Sequence, residues 1–446
     1  MNNGTPNNKS TDTNSLLKYI ESCGVVGAGG AGFPTHVKLN CSADIVIANG
    51  AECEPLLHKD KELLIHEAEV VIRGLLKVVE ITGAERGIIG IKRKAKPAID
   101  AVTSLLRPPL TLHLLEDSYP AGDECILTYE ITKRITPPGG LPIHVGVVTQ
   151  NVETLWWLGT EKPVTQKWIT VAGNIPEPAT YKVPIGTEIK EVLQLSGWTP
   201  NMNSHVLSGG VMMGQLVRDV TKPITKTMGG LIVLPADHPL MRRYKRDERT
   251  TDRIARSSCD QCNFCTQLCP RYLLGHPVQP HLAMRHIGMA SDQSNPPTGS
   301  MYCCGCMLCT FWSCPEDLDP GIITFRYRQQ LMENKVTTPV SDPQIHPMYE
   351  YRKTPTKALK RRLGLDSFID NAPLSPKMVI SKKVYLPLKQ HIGSECVPCV
   401  SIGDSVNPGD IVAKVPEGKL GAPVHASISG RIISNGDPIV IEGVDK

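Results

Sequence analysis

The chain has 446 residues, a net charge of +4, 21% charged and 41% apolar residues. That length suits about three domains, and a charge so near balance leaves no electrostatic footprint for nucleic acid or an anionic membrane. No apolar run reaches the ~18 residues that crossing a bilayer requires. Fifteen cysteines, nine of them between Cys259 and Cys314, with no leading signal peptide, point to a reducing compartment and not to a disulfide framework.

Residues 1–15 (MNNGTPNNKSTDTNS) are polar, cannot bury enough surface to order themselves, and read as a disordered tail. Leu16, Leu17 and Ile20 then mark one face of a short helix, which packs on its own domain or, alternatively, serves as a docking peptide. Residues 24–38 (GVVGAGGAGFPTHVK) carry five glycines within nine residues, so backbone N–H groups can approach a phosphate or a flat ring. The stretch fits neither the G-x-G-x-x-G fingerprint nor the P-loop. Residues 43–48 (ADIVIA) read as a buried strand ending in N-G-A-E-C-E-P. Asn49, Glu52 and Glu54 are therefore expected at its carboxyl end, the edge where open α/β sheets hold ligands. Helical spacing over residues 68–81, a strand at 87–90 and a helix over 95–106 predict a wound α/β domain spanning residues 16–160.

With these residues in place, a resemblance becomes specific. The run G-A-G-G-A-G-F-P-T-H-V-K followed by N-G-A-E-C-E-P resembles the flavin-binding core of three groups. These are the FMN- and NADH-binding subunit of respiratory complex I, the C subunit of the Rnf complex and the cobalamin reductases of propanediol-utilising microcompartments. Y-P-A-G-D-E (119–124) and T-Q-N-V-E-T-L (149–155) resemble two further segments of that core, in the same order. The resemblance implies FMN surrounded by Gly27, Gly29, Lys38, Asn49, Glu52, Gln150, Asn151 and Thr154. It places Phe33 on the NADH side together with Glu54, Tyr119 and Glu124, the catalytic candidates. Lys38 can offer charge to a phosphate or a reduced flavin, and the amides can bond the ring's polar edge. Ala51 departs from the pattern, standing where the complex I subunit carries an acid.

Residues 163–240 change character: W-I-T-V-A (168–172) alternates as a strand does, residues 189–195 form a short helix, and 231–234 a further strand. With G-N-I-P at 173–176 the region resembles the β-grasp module that follows the flavin domain in these families, either a spacer between flavin and clusters or a site for a soluble ligand.

Residues 250–335 hold two cysteine runs. C-D-Q-C-N-F-C-T-Q-L-C-P presents Cys259, Cys262, Cys265 and Cys269; C-C-G-C-M-L-C-T-F-W-S-C-P presents Cys303, Cys306, Cys309 and Cys314. This is the bacterial-type ligand run for [4Fe-4S] clusters, in which the fourth cysteine of each run serves the other cluster. By that rule Cys259, Cys262, Cys265 and Cys314 hold one cluster, and Cys269, Cys303, Cys306 and Cys309 the second. The second run is irregular, with four residues between Cys309 and Cys314 and an extra thiol at Cys304. Zinc, the alternative, needs only paired C-x2-C motifs. His276 and His281 read as surface or capping groups.

Residues 337–376, rich in Pro, Lys and Arg, read as a linker with a short basic helix near 357–363. Residues 379–446 resemble a lipoyl-type barrel-sandwich hybrid, but the turn at 424–429 has no lysine to modify, which favours docking. Cys396 and Cys399 form a C-x-x-C, read as two thiols over a third redox or metal site.

Together these readings describe a multidomain α/β protein: a wound α/β flavin domain, a β-grasp module, a ferredoxin-like two-cluster helical domain and a barrel-sandwich hybrid. The implied activity is NADH-dependent electron transfer through FMN and two [4Fe-4S] clusters to cobalamin, free or held by an adenosyltransferase. The implied place is cytoplasmic, within a bacterial microcompartment whose shell or cargo proteins are its neighbours. The alternative is the electron-input subunit of an Rnf-like membrane complex. A non-enzymatic cluster scaffold would not need the flavin constellation.

Overall fold

The structure, a computed structural model, describes residues 11–289, 294–337 and 342–443. Its first unit runs α1 (Thr11–Ser22), α2 (Thr35–Lys38), β1 (Ile45–Gly50), α3 (Lys59–Thr82), β2 (Arg86–Lys92), α4 (Lys96–Thr103), β3 (Leu110–Leu115), β4 (Ser118–Tyr119), α5 (Glu124–Thr132), β5 (Val147–Asn151) and α6 (Val152–Thr160). β1, β2, β3 and β5 form a parallel sheet in the order β3-β2-β1-β5. The order reverses between β1 and β5, and that switch point is where such sheets open a ligand crevice. Asn49 and Asn151 pair in register across it.

Two close-packed helices fix that edge. A Cβ on Gly74 of α3 would lie 1.9 Å from the Leu155 carbonyl oxygen, and one on Gly159 of α6 would lie 1.9 Å from that of Val70. Only glycine on both sides allows this approach, which packs α3 closely against α6.

Local chemistry shifts two expected boundaries. α1 begins at Thr11, inside the stretch expected as a disordered tail; residues 1–10 lie outside the described residues. α3 begins well before residue 68 because the Glu52 carboxylate caps it, and a non-helical Glu67 (φ −133°) interrupts the apolar spacing that marks its later turns.

The second unit comprises β6 (Gln166–Gly173), β7 (Ala179–Pro184), α7 (Ile189–Leu195), β8 (Ser204–Ser208), β9 (Gln215–Val217) and β10 (Gly230–Pro235). Its sheet order is β7-β6-β10-β8-β9, with β6 and β10 parallel and the other pairs antiparallel. Helices α8 (Pro239–Tyr244), α9 (Glu248–Ser258), α10 (Phe264–Gln267), α11 (Pro270–Leu273), α12 (Pro280–Met289) and α13 (Pro320–Glu333) then carry the cysteine region.

Residues 342–376 form a packed strap and not a free linker. β11 (Thr354–Pro355) pairs with β4, α14 (Thr356–Arg362) comes next, and Tyr349 meets Tyr129 edge-on at 5.1 Å between ring centroids. The Pro373 carbonyl accepts the Thr180 N–H at 2.9 Å. Buried Tyr349, Leu359 and Leu363 anchor this strap, and its prolines suit an extended course that leaves few N–H groups to satisfy. Residues 338–341 lie outside the described residues.

The C-terminal unit holds β12 (Lys383–Leu386), β13 (Val397–Pro398), β14 (Ser405–Val406), β15 (Ile411–Lys414), β16 (Val424–His425), β17 (Gly430–Asn435) and β18 (Ile439–Gly443). They form two sheets, β12-β18-β17-β14 and β13-β15-β16. Its buried Val384, Val412 and Ile432 share one continuous core with Val25 and Val26 of the first unit, so this domain is packed on the molecule. Among the described residues no helix is long and apolar enough to cross a membrane.

Candidate functional site

At the carboxyl end of β1 the expected residues gather, but several are engaged differently from the expectation. Asn49 donates from Nδ2 to the Gly122 carbonyl at 2.9 Å. Glu52, at φ +32°, accepts the N–H groups of Asp60 (2.8 Å) and Lys61 (3.1 Å) and so caps α3. Burial pushes its carboxyl up to about 7, and the nearby Asp60 carboxylate pushes the same way. Glu54 reaches across to the second unit, accepting the N–H groups of Met212 and Met213, each at 2.9 Å; burial pushes it, too, up to about 7. Glu52 and Glu54 are among the residues lining a pocket that encloses about 700 Å³ of open space, together with Lys61, Lys92, Lys94, Lys360 and Asp370. Two acids raised toward neutrality in a pocket that also carries lysines suit an anionic ligand and a proton exchanged beside it.

The other NADH-side candidates are dispersed. Tyr119 is buried and donates its hydroxyl to the Cys306 carbonyl at 2.8 Å. Glu124 pairs with Lys38 at 2.8 Å, joining two residues expected on different ligands. Phe33 is half-buried, and its carbonyl accepts the Gly27 N–H at 2.9 Å, closing the glycine loop.

On the β5 side, Asn151 caps α6 by accepting the Glu153 N–H (2.9 Å) and donates to Asp60 at 2.9 Å. Thr154 accepts the Ala28 N–H at 2.9 Å, tying the glycine loop to α6. Gln150 is 3% exposed and its Nε2 has no partner. A buried, unsatisfied donor is costly, and a flavin's carbonyl edge or phosphate would satisfy it. Gly29 and Gly30 are exposed, and a Cβ at Gly30 would meet nothing within 4 Å, so the loop has an open side. The residues present therefore fit FMN.

Beneath the loop lies a charge network that sequence reasoning missed. Glu153, fully buried, accepts from Lys59 (2.9 Å), Lys167 (2.7 Å) and the Trp168 N–H (2.8 Å). Burial alone would raise its pKa, but the two ammonium groups outweigh that and hold it below the usual carboxylate range. Lys59 also meets Asp60 at 2.5 Å, and Lys167 reaches the Ala28 carbonyl at 3.4 Å. The network thus braces the glycine loop, Asn151 and the Glu52 cap together. Its available signal was Glu153, an acid at the start of the otherwise mostly apolar stretch V-E-T-L-W-W-L.

The cysteines assemble into two hollows, and the fourth thiol crosses over in each. Cys259, Cys262, Cys265 and Cys314 line one of about 350 Å³; Cys269, Cys303, Cys306 and Cys309, with Cys304 beside them, line another of about 330 Å³. The two runs repeat one backbone device. Left-handed residues stand two and four positions after the leading cysteine: Gln261 (φ +58°) and Asn263 (+69°), then Gly305 (+71°) and Met307 (+60°). For the non-glycine residues this conformation costs on the order of 1–3 kcal/mol each, which persists where the chain must wrap a centre. The irregular spacing of the second run also has a cause. Cys309–Ser313 forms a π-helical turn that absorbs the additional residue and returns Cys314 to the first hollow.

Burial pushes the Cys265 and Cys303 thiols up to about 12, so iron must displace their protons for the cage to hold charge. Four thiols around each hollow fit a cubane cluster's donor set. His281 borders the first hollow but bonds Thr266 at 2.8 Å, and His276 bonds the Thr136 carbonyl at 2.8 Å.

The hollows differ in position. Arg271, on the wall of the second, pairs with Asp123, the cap of α5, at 2.8 Å; with the Tyr119–Cys306 bond this fastens it to the first unit. The first hollow lies outward, where Cys262 is exposed and Phe264 is 47% exposed.

Comparison with known proteins adds names to these parts. Residues 20–159 match the Nuo51 FMN-binding domain, residues 258–319 a 4Fe-4S dicluster domain, and residues 370–442 the RnfC barrel sandwich hybrid domain. The chain is 41% identical over 428 residues to Cobalamin reductase PduS of Citrobacter freundii, covering 94% of both chains. It is 41% identical over 429 residues to that of Salmonella typhimurium, again covering 94% of both. The C subunit of the Na(+)-translocating ferredoxin:NAD(+) oxidoreductase complex of Acetobacterium woodii is 34% identical over 276 residues, 59% of each chain.

Proposed function

The chain belongs to the cobalamin reductase family, and we propose that it carries electrons from NADH to cobalamin through an inner and then an outer cysteine hollow. When bound, FMN would supply a carrier able to accept a hydride's two electrons together and pass them on singly, and [4Fe-4S] clusters would supply one-electron carriers. The chain's own residues set the order. Gly27, Gly29, Gln150, Asn151 and Thr154 would hold the flavin at the switch point, with Lys38, Asn49 and Glu52 bordering it. Glu54 and Glu52, near neutrality, hold or release the proton that accompanies hydride transfer. Cys269, Cys303, Cys306 and Cys309 form the inner station, and Cys259, Cys262, Cys265 and Cys314 the outer one.

The observation that carries this reading is the attachment of the second hollow to the flavin unit. The Tyr119 hydroxyl donates directly to the Cys306 carbonyl at 2.8 Å. Tyr119 and Glu124 accordingly act by position: one seats the inner station, the other holds Lys38. The second unit's strand order supports a β-grasp spacer, with Glu54 as its tie to the flavin side. The acceptor meets the outer station as cobalamin presented by an adenosyltransferase, in the setting of a microcompartment. An Rnf-like input subunit is the second reading, favoured by the match to the Acetobacterium woodii protein, which covers 59% of this chain against 94% for the cobalamin reductases.

Metal analysis tests the core of the proposal. Anaerobically prepared protein is expected to hold about eight iron atoms and one FMN per chain, from two cubane clusters and one flavin site. Zinc in place of iron would overturn the assignment of both hollows.

A further inference from the structure

We propose that the C-terminal domain, pinned by Lys226, is a clamp that pre-forms the glycine-rich flavin loop. The inference rests on the reading of residues 24–38 as the flavin loop.

Lys226 lies between β9 and β10 and is 1% exposed. Its ammonium donates to the Gly24 carbonyl at 2.7 Å and to the Pro423 carbonyl at 2.9 Å, joining three units at one atom. Its own N–H is held by Gln390 Oε1 at 3.1 Å. These partners are carbonyls, not carboxylates. A buried ammonium without a counter-charge is an expensive way to join apolar surfaces, so its use here argues for precise placement of the backbone it grips. Burial pulls its pKa down to about 8.

Both ends of the loop are gripped, and by the same two elements. At the leading end His425 donates from Nε2 to the Ser22 carbonyl at 2.8 Å, next to the Lys226 contact with Gly24. Gly24 stands at φ +68°, and a Cβ there would lie 2.6 Å from the Pro423 carbonyl oxygen and 2.8 Å from Lys226 Nζ. At the trailing end the Ile392 N–H donates to the Gly32 carbonyl at 2.9 Å. Gly32 stands at φ +66°, where a Cβ would lie 2.8 Å from Thr227 Cγ2. Between these fixed points Gly29 and Gly30 stay exposed. Glycine backbone loses more freedom on ordering than any other. Anchoring the ends in the folded protein removes much of that loss from the binding step, which is preorganisation.

The test uses full-length, cluster-loaded protein stripped of flavin and titrated with FMN by fluorescence. Lys226→Met is expected to weaken the FMN dissociation constant at least tenfold while iron content and cluster absorbance stay at parent values. A second measurement needs no variant. In hydrogen exchange on the parent protein, FMN is expected to protect residues 24–34 together with residues 389–394 and 421–427. A role confined to general stability would lower the melting temperature without this joint protection. Parent-like FMN affinity in Lys226→Met overturns the clamp, as does protection confined to residues 24–34. Parent protein that binds no FMN overturns the flavin reading itself, and the clamp with it.

Discussion

Replacing Cys262 and Cys306 together with serine is expected to slow cobalamin reduction at least ~100-fold, a barrier of about 2.7 kcal/mol, while NADH still bleaches the flavin at the parent rate. Cys262 belongs to the outer hollow and Cys306 to the inner one. A serine hydroxyl keeps its proton near neutral pH and is a poor substitute for thiolate toward iron. Hydride transfer needs only nicotinamide and flavin in contact, so it should be spared. The geometry also isolates the effect, since Tyr119 bonds the Cys306 carbonyl, which serine retains. Stopped-flow absorbance separates the two steps. Cobalamin reduction at the parent rate in this variant would mean that the acceptor draws directly on the flavin.

The second large effect is expected at Gly29. A Cβ there would lie 3.6 Å from Asn151 Cβ, an ordinary contact, so the chain itself tolerates a side chain. Gly29→Val places its branch beside the Asn151 side chain, within the group of residues expected around the cofactor, where the loop backbone must come close to it. Flavin content should fall below ~10% of the parent, a loss consistent with a branched side chain blocking that approach, and iron should stay unchanged. Full flavin occupancy in purified Gly29→Val, measured by absorbance after heat release, would show that the loop does not cradle FMN.

The cysteine hollows were the most legible part of the chain, because a cluster's ligand spacing is local and repeats. The crossover of Cys314 and Cys269 follows from the same rule, and the structure groups them so. The π-helical turn at Cys309–Ser313 was visible only as an irregular count. Helix α7 falls where its sequence places it, on residues 189–195, whereas short β7, β8 and β9 gave no periodicity long enough to read. Partners were harder than elements. Glu52 and Glu54 lie two residues apart, yet one caps α3 and the other reaches Met212 and Met213. Periodicity tells which face a residue occupies and says nothing of what a long side chain meets across a domain boundary. The strap over residues 342–376 read as a linker for a related reason: its composition is that of a loop, and its anchors Tyr349, Leu359 and Leu363 are too widely spaced to form a pattern. Lys226 was indistinguishable from a surface lysine until Gly24 and Pro423 were seen beside it.

The central claim, electron flow from NADH through flavin and two clusters to cobalamin, is tested most directly by anaerobic titration of the purified protein with NADH in the presence of cobalamin, followed by absorbance. Flavin and iron-sulfur bands are expected to bleach on NADH addition, and the spectrum of reduced cobalamin then to grow at their expense. Bleaching of the protein bands with cobalamin left oxidised would contradict it.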